Sequence, residues 1–200
     1  MKTGVILARL QPIHNGHLAL IEKAYNENDE VYVFIGSADK FNKRNPLPIS
    51  LRVQLTNEAL KEKLKSYSHE MCDGNIETIN PLDRIHVIPL DDLTDESDNS
   101  HDWGFYLYSR IVTECKNPCF TIYYSDGFEI ITTWFPSFIL RNNVSLCLLA
   151  RNATVSGISA TKVRKLIEEE SEYLKDYVPN CVYKNRDTIK KHIELSKLIK

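Results

Sequence analysis

Short apolar runs alternate with amphipathic stretches along this chain. Gly4–Ala8 is apolar at every position, and runs of the same kind recur at Val31–Ile35, Ile85–Ile88, Phe120–Tyr124 and Val144–Leu149. Strands that face solvent on one side alternate polar and apolar residues, so continuous apolar runs of this length predict strands covered on both faces, and hence a parallel sheet. Helix-length amphipathic stretches lie between them at His17–Tyr25, Ile49–Leu64 and Phe105–Cys115; in the second, Leu51, Leu55, Ala59 and Leu60 recur on one face. Strand then helix, repeated, predicts right-handed βαβ crossovers in an α/β domain with five parallel strands. Beyond the fifth run, Ser159–Glu169 reads as a helix with Ser159 as N-cap and an Ile158–Val163 hydrophobic staple, and Thr188–Ile199 as a final helix. This pattern implies one domain over residues 1–177, with 178–200 a helical extension of it.

Two segments break the pattern. Ser66–Asp83 mixes His, Gly, Asn and Pro, and Asp91–Asp102 holds six acidic residues in twelve. Both predict loops next to the sheet, where open α/β folds bind ligands. The acidic loop lacks the glycine and closing glutamate of a calcium loop and reads as a solvated segment.

Charge and cysteine usage narrow the class. With 200 residues, 25 Lys and Arg against 27 Asp and Glu give a net charge of −2, which excludes a protein that coats a nucleic-acid backbone. No apolar run reaches membrane-spanning length, and Arg9 interrupts the N-terminal run before it could act as an export signal, so a cytoplasmic location is expected. Five scattered cysteines in such a chain predict free thiols; Cys115 and Cys119 find no further Cys or His pair to complete a zinc set. The basic run Lys184–Lys200 reads as a solvated helix face, with a homo-oligomer contact or an acidic partner as the alternative.

The glycines exclude the common nucleotide loops, since none of the seven falls in a G-x-G-x-x-G or a G-x-x-x-x-G-K. The first strand runs instead into Arg9-Leu10-Gln11-Pro12-Ile13-His14-Asn15-Gly16-His17. His14 and His17 are three apart at a predicted helix start, which places both on one face. Free backbone N–H groups and the helix dipole favour an anion there, Gly16 lets it approach, and the imidazoles add donors. Either histidine alone would read as a surface residue; the strand, turn and His-x-Gly-His together read as a phosphate site.

The chain at this point resembles the nucleotidylyltransferase superfamily, in which the first strand runs into H-x-G-H and the last helix opens with [IS]-S-x-T-x-[IV]-R. The second element stands here as Ile158-Ser159-Ala160-Thr161-Lys162-Val163-Arg164. The order and separation of the two elements carry the resemblance, which runs to about Tyr177. Within the superfamily, Arg9-x-Gln11-Pro12-x-His14-x-Gly16-His17 is similar to the G-R-F-Q-P-F-H-x-G-H of the NadM-type nicotinamide mononucleotide (NMN) adenylyltransferases, with Ala8 and Leu10 departing from it. Further stretches match in order: Gly36-Ser37-Ala38, Arg44-Asn45-Pro46 and Arg52; Ile88-Pro89 through Asp92-Leu93, then Trp103; and Ser125-Asp126 with Phe135-Pro136 after it.

The resemblance implies a Rossmann-like sheet with helices on both faces, and formation of NAD and pyrophosphate from ATP and NMN with Mg²⁺ on the triphosphate. It implies catalytic roles for His14, His17 and Arg164. Arg9, Gln11, Gly16, Asp126, Ser159 and Thr161 would hold ATP, and Gly36, Ser37, Arg44, Asp92 and Trp103 would hold NMN. Arg44 would grip the NMN phosphate, Trp103 offer its indole to the cationic ring, and Asp92 hold the ribose or oppose the ring charge. No protein metal ligands, nucleic acid or membrane are implied, and no Nudix domain. Competing readings are a cytidylyltransferase or another adenylyltransferase of the same fold, and a nucleotide sensor; retention of His14, His17 and Arg164 argues against the sensor.

Overall fold

The computed structural model describes residues 1–64, 80–94, 100–127, 129–150 and 157–199. Five strands, β1 (Thr3–Ala8), β2 (Glu30–Ile35), β3 (Ile85–Pro89), β4 (Phe120–Ser125) and β5 (Val144–Leu149), form one sheet in the order β3-β2-β1-β4-β5. Every pairing is parallel. The continuous apolar runs are explained by what lies on each face. In β2, Val31, Val33 and Ile35 point into one core and Tyr32 and Phe34 into the other.

The first core lies under α1 (Asn15–Glu27), α2 (Ile49–Leu64) and the C-terminal helices α5 (Ala160–Glu168), α6 (Leu174–Tyr177), α7 (Asn180–Lys184) and α8 (Arg186–Ser196). The second lies under α3 (His101–Cys115) and α4 (Ser137–Asn142). The approach of α3 to the 134–136 turn is close: a Cβ on Gly104 would stand 2.0 Å from the Trp134 carbonyl oxygen, so only glycine fits there. Burial pushes the Cys115 and Cys181 thiols up to about 12, and Cys115, Cys119, Cys147 and Cys181 are all free; Cys72 lies outside the described residues.

The differences from expectation sit at helix ends. Helix α1 begins at Asn15, two residues before the predicted start, because the carbonyl of His14 accepts from the amides of His17 and Leu18. Helix α3 begins at His101, four residues early, because Ser100 caps it by accepting from the Trp103 amide. The end of the predicted acidic loop is therefore helical, while residues 95–99 and most of the 66–83 loop lie outside the described residues. Helix α8 spans Arg186–Ser196 rather than Thr188–Ile199. The short α4, α6 and α7 have no counterpart among the predicted elements, being too brief for a 3.6-residue period to register. Among the described residues no helix is long and apolar enough to cross a membrane.

Candidate active site

The sheet order reverses between β1 and β4, which start crossovers to opposite faces, and such a switch point leaves a crevice at the carboxyl ends of the strands. The two sequence elements meet there. A cleft of about 140 Å³ is lined by His14, Gly16 and His17 from the β1–α1 junction, Ser125 at the end of β4, and Ile158, Ser159 and Ala160 at the start of α5. Two helix N-termini thus open on one small space, each with backbone N–H groups suited to phosphate oxygens.

Local chemistry shapes each side. His14 is the extended N-cap residue of α1, and its ring stacks on that of His17 with centroids 3.7 Å apart. A Cβ on Gly16 would come within 3.1 Å of the His14 ring, so the glycine leaves that imidazole its place as well as opening the helix start. Across the cleft, Ser159 caps α5 by accepting from the Lys162 amide, and Ile158 and Val163 are both buried in the core, as the staple requires. Arg164 donates from Nη1 to the Gln11 carbonyl at 2.8 Å and from Nη2 to Thr161 Oγ1 at 3.3 Å, tying α5 to the turn after β1.

Burial lowers the proton affinity of Arg52 and Arg164, and the charge of the half-buried Arg9 lowers both further. Gln11 is 2% exposed and its Oε1 accepts from the Leu47 amide, so its side chain braces the next loop and its carbonyl holds Arg164. Asp126 sits half-buried in the turn after Ser125. Gly36 and Ser37 come directly after β2, and Ser37 donates to Asp92 Oδ1 at 3.1 Å, which joins the ends of β2 and β3. Arg44 is exposed on a tight turn in which Asn42 Oδ1 accepts from the amides of Arg44 and Asn45. Trp103 is 7% exposed, edge-on to Trp134 with centroids 5.9 Å apart and tilted against Tyr106 at 5.5 Å, so most of the indole belongs to the second core.

Arg52, which the sequence marks only as part of a motif, has a larger place in the structure. It stands on the first turn of α2, is 1% exposed and reaches under the site. Burial, the largest cause, brings its guanidinium down to about 10; Asp92 opposes that and Arg9 adds to it. The signal is in the sequence, because Arg52 precedes Leu55 and Thr56 by one helical turn and therefore shares their buried face. Arg9 stands close enough to repel both Arg52 and Arg164, while Asp92 and Asp39 offset part of this at Arg52 and Glu168 at Arg164, and a bound polyanion would relieve what remains. Among the described residues no group of three or more His, Cys, Asp or Glu could hold a metal ion.

Fold and site geometry suit the nucleotidyltransferase class, with two helix N-termini standing where other nucleotide folds place a glycine-rich loop. The chain belongs to the cytidylyltransferase-like family, whose model matches residues 8–194. It is 26% identical over 188 residues to the nicotinamide-nucleotide adenylyltransferase of Thermococcus kodakarensis, covering 91% of this chain and 80% of that one. A shorter stretch of 59 residues is 41% identical to the enzyme of the same name from Methanococcus aeolicus, covering 29% of this chain and 34% of that one. Among solved structures, the bifunctional NMN adenylyltransferase/ADP-ribose pyrophosphatase of Francisella tularensis, complexed with AMP and a manganese ion, superposes with a TM-score of 0.64 at 19% identity. That match covers 96% of this chain and 49% of the other, so the present chain spans about half the length of the Francisella protein. The nicotinic acid mononucleotide adenylyltransferase of Plasmodium falciparum gives a TM-score of 0.54 at 15% identity over 98% of this chain and 96% of that one.

Proposed function

We propose that this chain is a nicotinamide-nucleotide adenylyltransferase, joining ATP and NMN to give NAD and pyrophosphate. The observation that carries the reading is the meeting of His14, His17 and the capped start of α5 in one cleft, with Arg164 of that helix tied to the turn after β1. The relatives' names point to NMN as the acceptor.

The reaction asks for little covalent chemistry from the protein. An oxygen of the NMN 5′-phosphate, already deprotonated, attacks the α-phosphorus of ATP. As that P–O bond forms, the bond between the α-phosphorus and the bridging oxygen to the β-phosphate breaks, and pyrophosphate departs with the electron pair. Positioning and stabilisation of charge on the crowded phosphorus are sufficient. His14 and His17 aim imidazole donors at the α- and β-phosphate oxygens, while the α5 start, with Ser159, Thr161 and Arg164, takes the β- and γ-phosphates. Arg9 adds charge on the ATP side, with Gln11, Gly16 and Asp126 framing it. Arg44 takes the NMN phosphate from its exposed turn, and Gly36, Ser37, Asp92 and the accessible edge of Trp103 frame the nucleoside end.

Mg²⁺ would accompany ATP as part of the substrate and would neutralise triphosphate charge, while the imidazoles of His14 and His17 and the hydroxyls of Ser125 and Ser159 in the cleft lining would meet the phosphates. The test is product analysis after incubation with ATP, Mg²⁺ and NMN, run beside nicotinic acid mononucleotide and beside CTP with phospho-alcohols. NAD and pyrophosphate are expected in equal amounts. No NAD, together with turnover of CTP and a phospho-alcohol, overturns the reading.

A further inference from the structure

Arg52 is not among the residues that line the cleft, yet it is the most deeply buried charge among the described residues. A guanidinium taken out of water must recover its hydration through hydrogen bonds, and a carboxylate is the usual partner. Here the partners are three backbone carbonyls: Nη1 donates to Arg9 at 3.1 Å and to Gly36 at 2.8 Å, and Nη2 donates to Ser37 at 2.9 Å. These three residues are the exits of two adjacent strands, β1 and β2.

Both exits turn through left-handed backbone. Ser37 has φ 52°, and Leu10, next to Arg9, has φ 48°. Neither is glycine, so each conformation carries a cost that the surroundings must offset. One fork on one side chain holds the carbonyls at both turns. The β1 exit leads to His14 and carries the carbonyl of Gln11 that receives Arg164; the β2 exit presents Ser37 to Asp92 and leads to the turn bearing Arg44. The groups assigned to the two substrates thus hang from two strained turns bridged by a single guanidinium.

We propose that Arg52 is a positioning residue for nucleotidyl transfer, fixing the β1 and β2 exits relative to each other so that the acceptor phosphate and the α-phosphate of ATP meet in line. This rests on the function proposed above only in requiring two nucleotides to meet at that junction. Loss of the fork leaves each substrate its own contacts and loosens their mutual placement, so the effect falls on kcat rather than on binding. Lysine at this position keeps the charge but has no planar fork to span two turns.

The test compares wild-type protein with Arg52→Lys and Arg52→Gln, measuring kcat and both KM values, calorimetric binding of each nucleotide alone, and thermal unfolding. Arg52→Lys is expected to unfold cooperatively, to bind each nucleotide within about threefold of wild type, and to lose roughly 10- to 100-fold in kcat. In the Ser37→Gly background, where glycine removes the left-handed cost at one exit, the same substitution should cost several-fold less. Wild-type kcat in Arg52→Lys, or a loss confined to KM, overturns the proposal. So does failure of both variants to fold, which would make Arg52 a scaffold residue. The variant-to-wild-type ratio is read on whichever acceptor wild type turns over, so a wrong acceptor sinks the NMN reading without touching this one.

Discussion

At the scale of single residues, geometry and chemistry divide the predicted site into groups that face the cleft and groups that support it. His17 lines the cleft on the first turn of α1 with its ring against His14. Its replacement by alanine removes a donor aimed at transition-state charge, so His17→Ala should lower kcat by roughly 10²-fold or more with cooperative unfolding retained. Near-normal kcat in the folded variant would reduce His17 to a lining residue. Trp103 is the harder residue to read. Its place after a polar segment fits a stacking platform, whereas its four-residue spacing from Leu107, Ile111 and Cys115 fits a core anchor. The structure gives it Trp134 and Tyr106 as neighbours and little exposure, which favours a dominant packing contribution. Trp103→Ala should therefore cost about 3 to 5 kcal/mol of stability as well as raising the KM for NMN. Denaturant titration beside steady-state kinetics separates the two effects; an unchanged midpoint with a raised KM for NMN alone would mark the indole as a ligand platform first.

At the scale of elements, the strands are legible in the sequence because burial leaves them mostly apolar, and even at the sheet edge, where Ser145 and Leu148 are exposed, the run Val144–Leu149 matches β5 to the residue. Helix starts are less so. His14 and Ser100 initiate α1 and α3 through local hydrogen bonds, ahead of the first apolar positions on which periodicity depends. The function of α8 is not legible at all, since its basic residues read as a solvated face. In the structure, His192 of α8 meets Phe41 edge to face with centroids 6.1 Å apart, and Phe41 lies in the segment that carries the Arg44 turn. The C-terminal helix thereby buttresses the loop proposed to grip the NMN phosphate. Phe41→Ala should raise the KM for NMN by roughly three- to tenfold while the KM for ATP stays within about twofold, because only the acceptor loop loses its support. Equal changes in both KM values would show that the contact steadies the fold rather than the loop.

At the scale of the whole molecule, a net charge of −2 conceals a strongly uneven distribution, which composition could not show. Arg9 and Arg52 are singled out by their motifs and Arg164 by its place after Ser159, and the buried face of α2 marks Arg52 again; the fold draws all three to the carboxyl end of the sheet. Held together without a ligand, they repel, and burial denies Arg52 and Arg164 the water that would screen them. A polyanion that binds the native state relieves this, whereas the unfolded chain spreads the same charges apart and gains little. Inorganic pyrophosphate should therefore raise the thermal unfolding midpoint without any second substrate, by an amount that grows with the logarithm of its concentration. At 100 times its Kd the gain is about 2.7 kcal/mol. Salt should weaken the effect, though less than for an exposed cluster, because partly buried charges are poorly screened. Arg164→Ala removes the cation that spans the α5 start and the Gln11 carbonyl, so it should abolish most of the shift even if the unliganded variant is itself no less stable. NMN alone should stabilise that variant as it does wild type, since its phosphate is assigned to Arg44. If pyrophosphate protects Arg164→Ala as well as it protects wild type, the leaving group is held elsewhere, and the start of α5 is a capped helix end and no more.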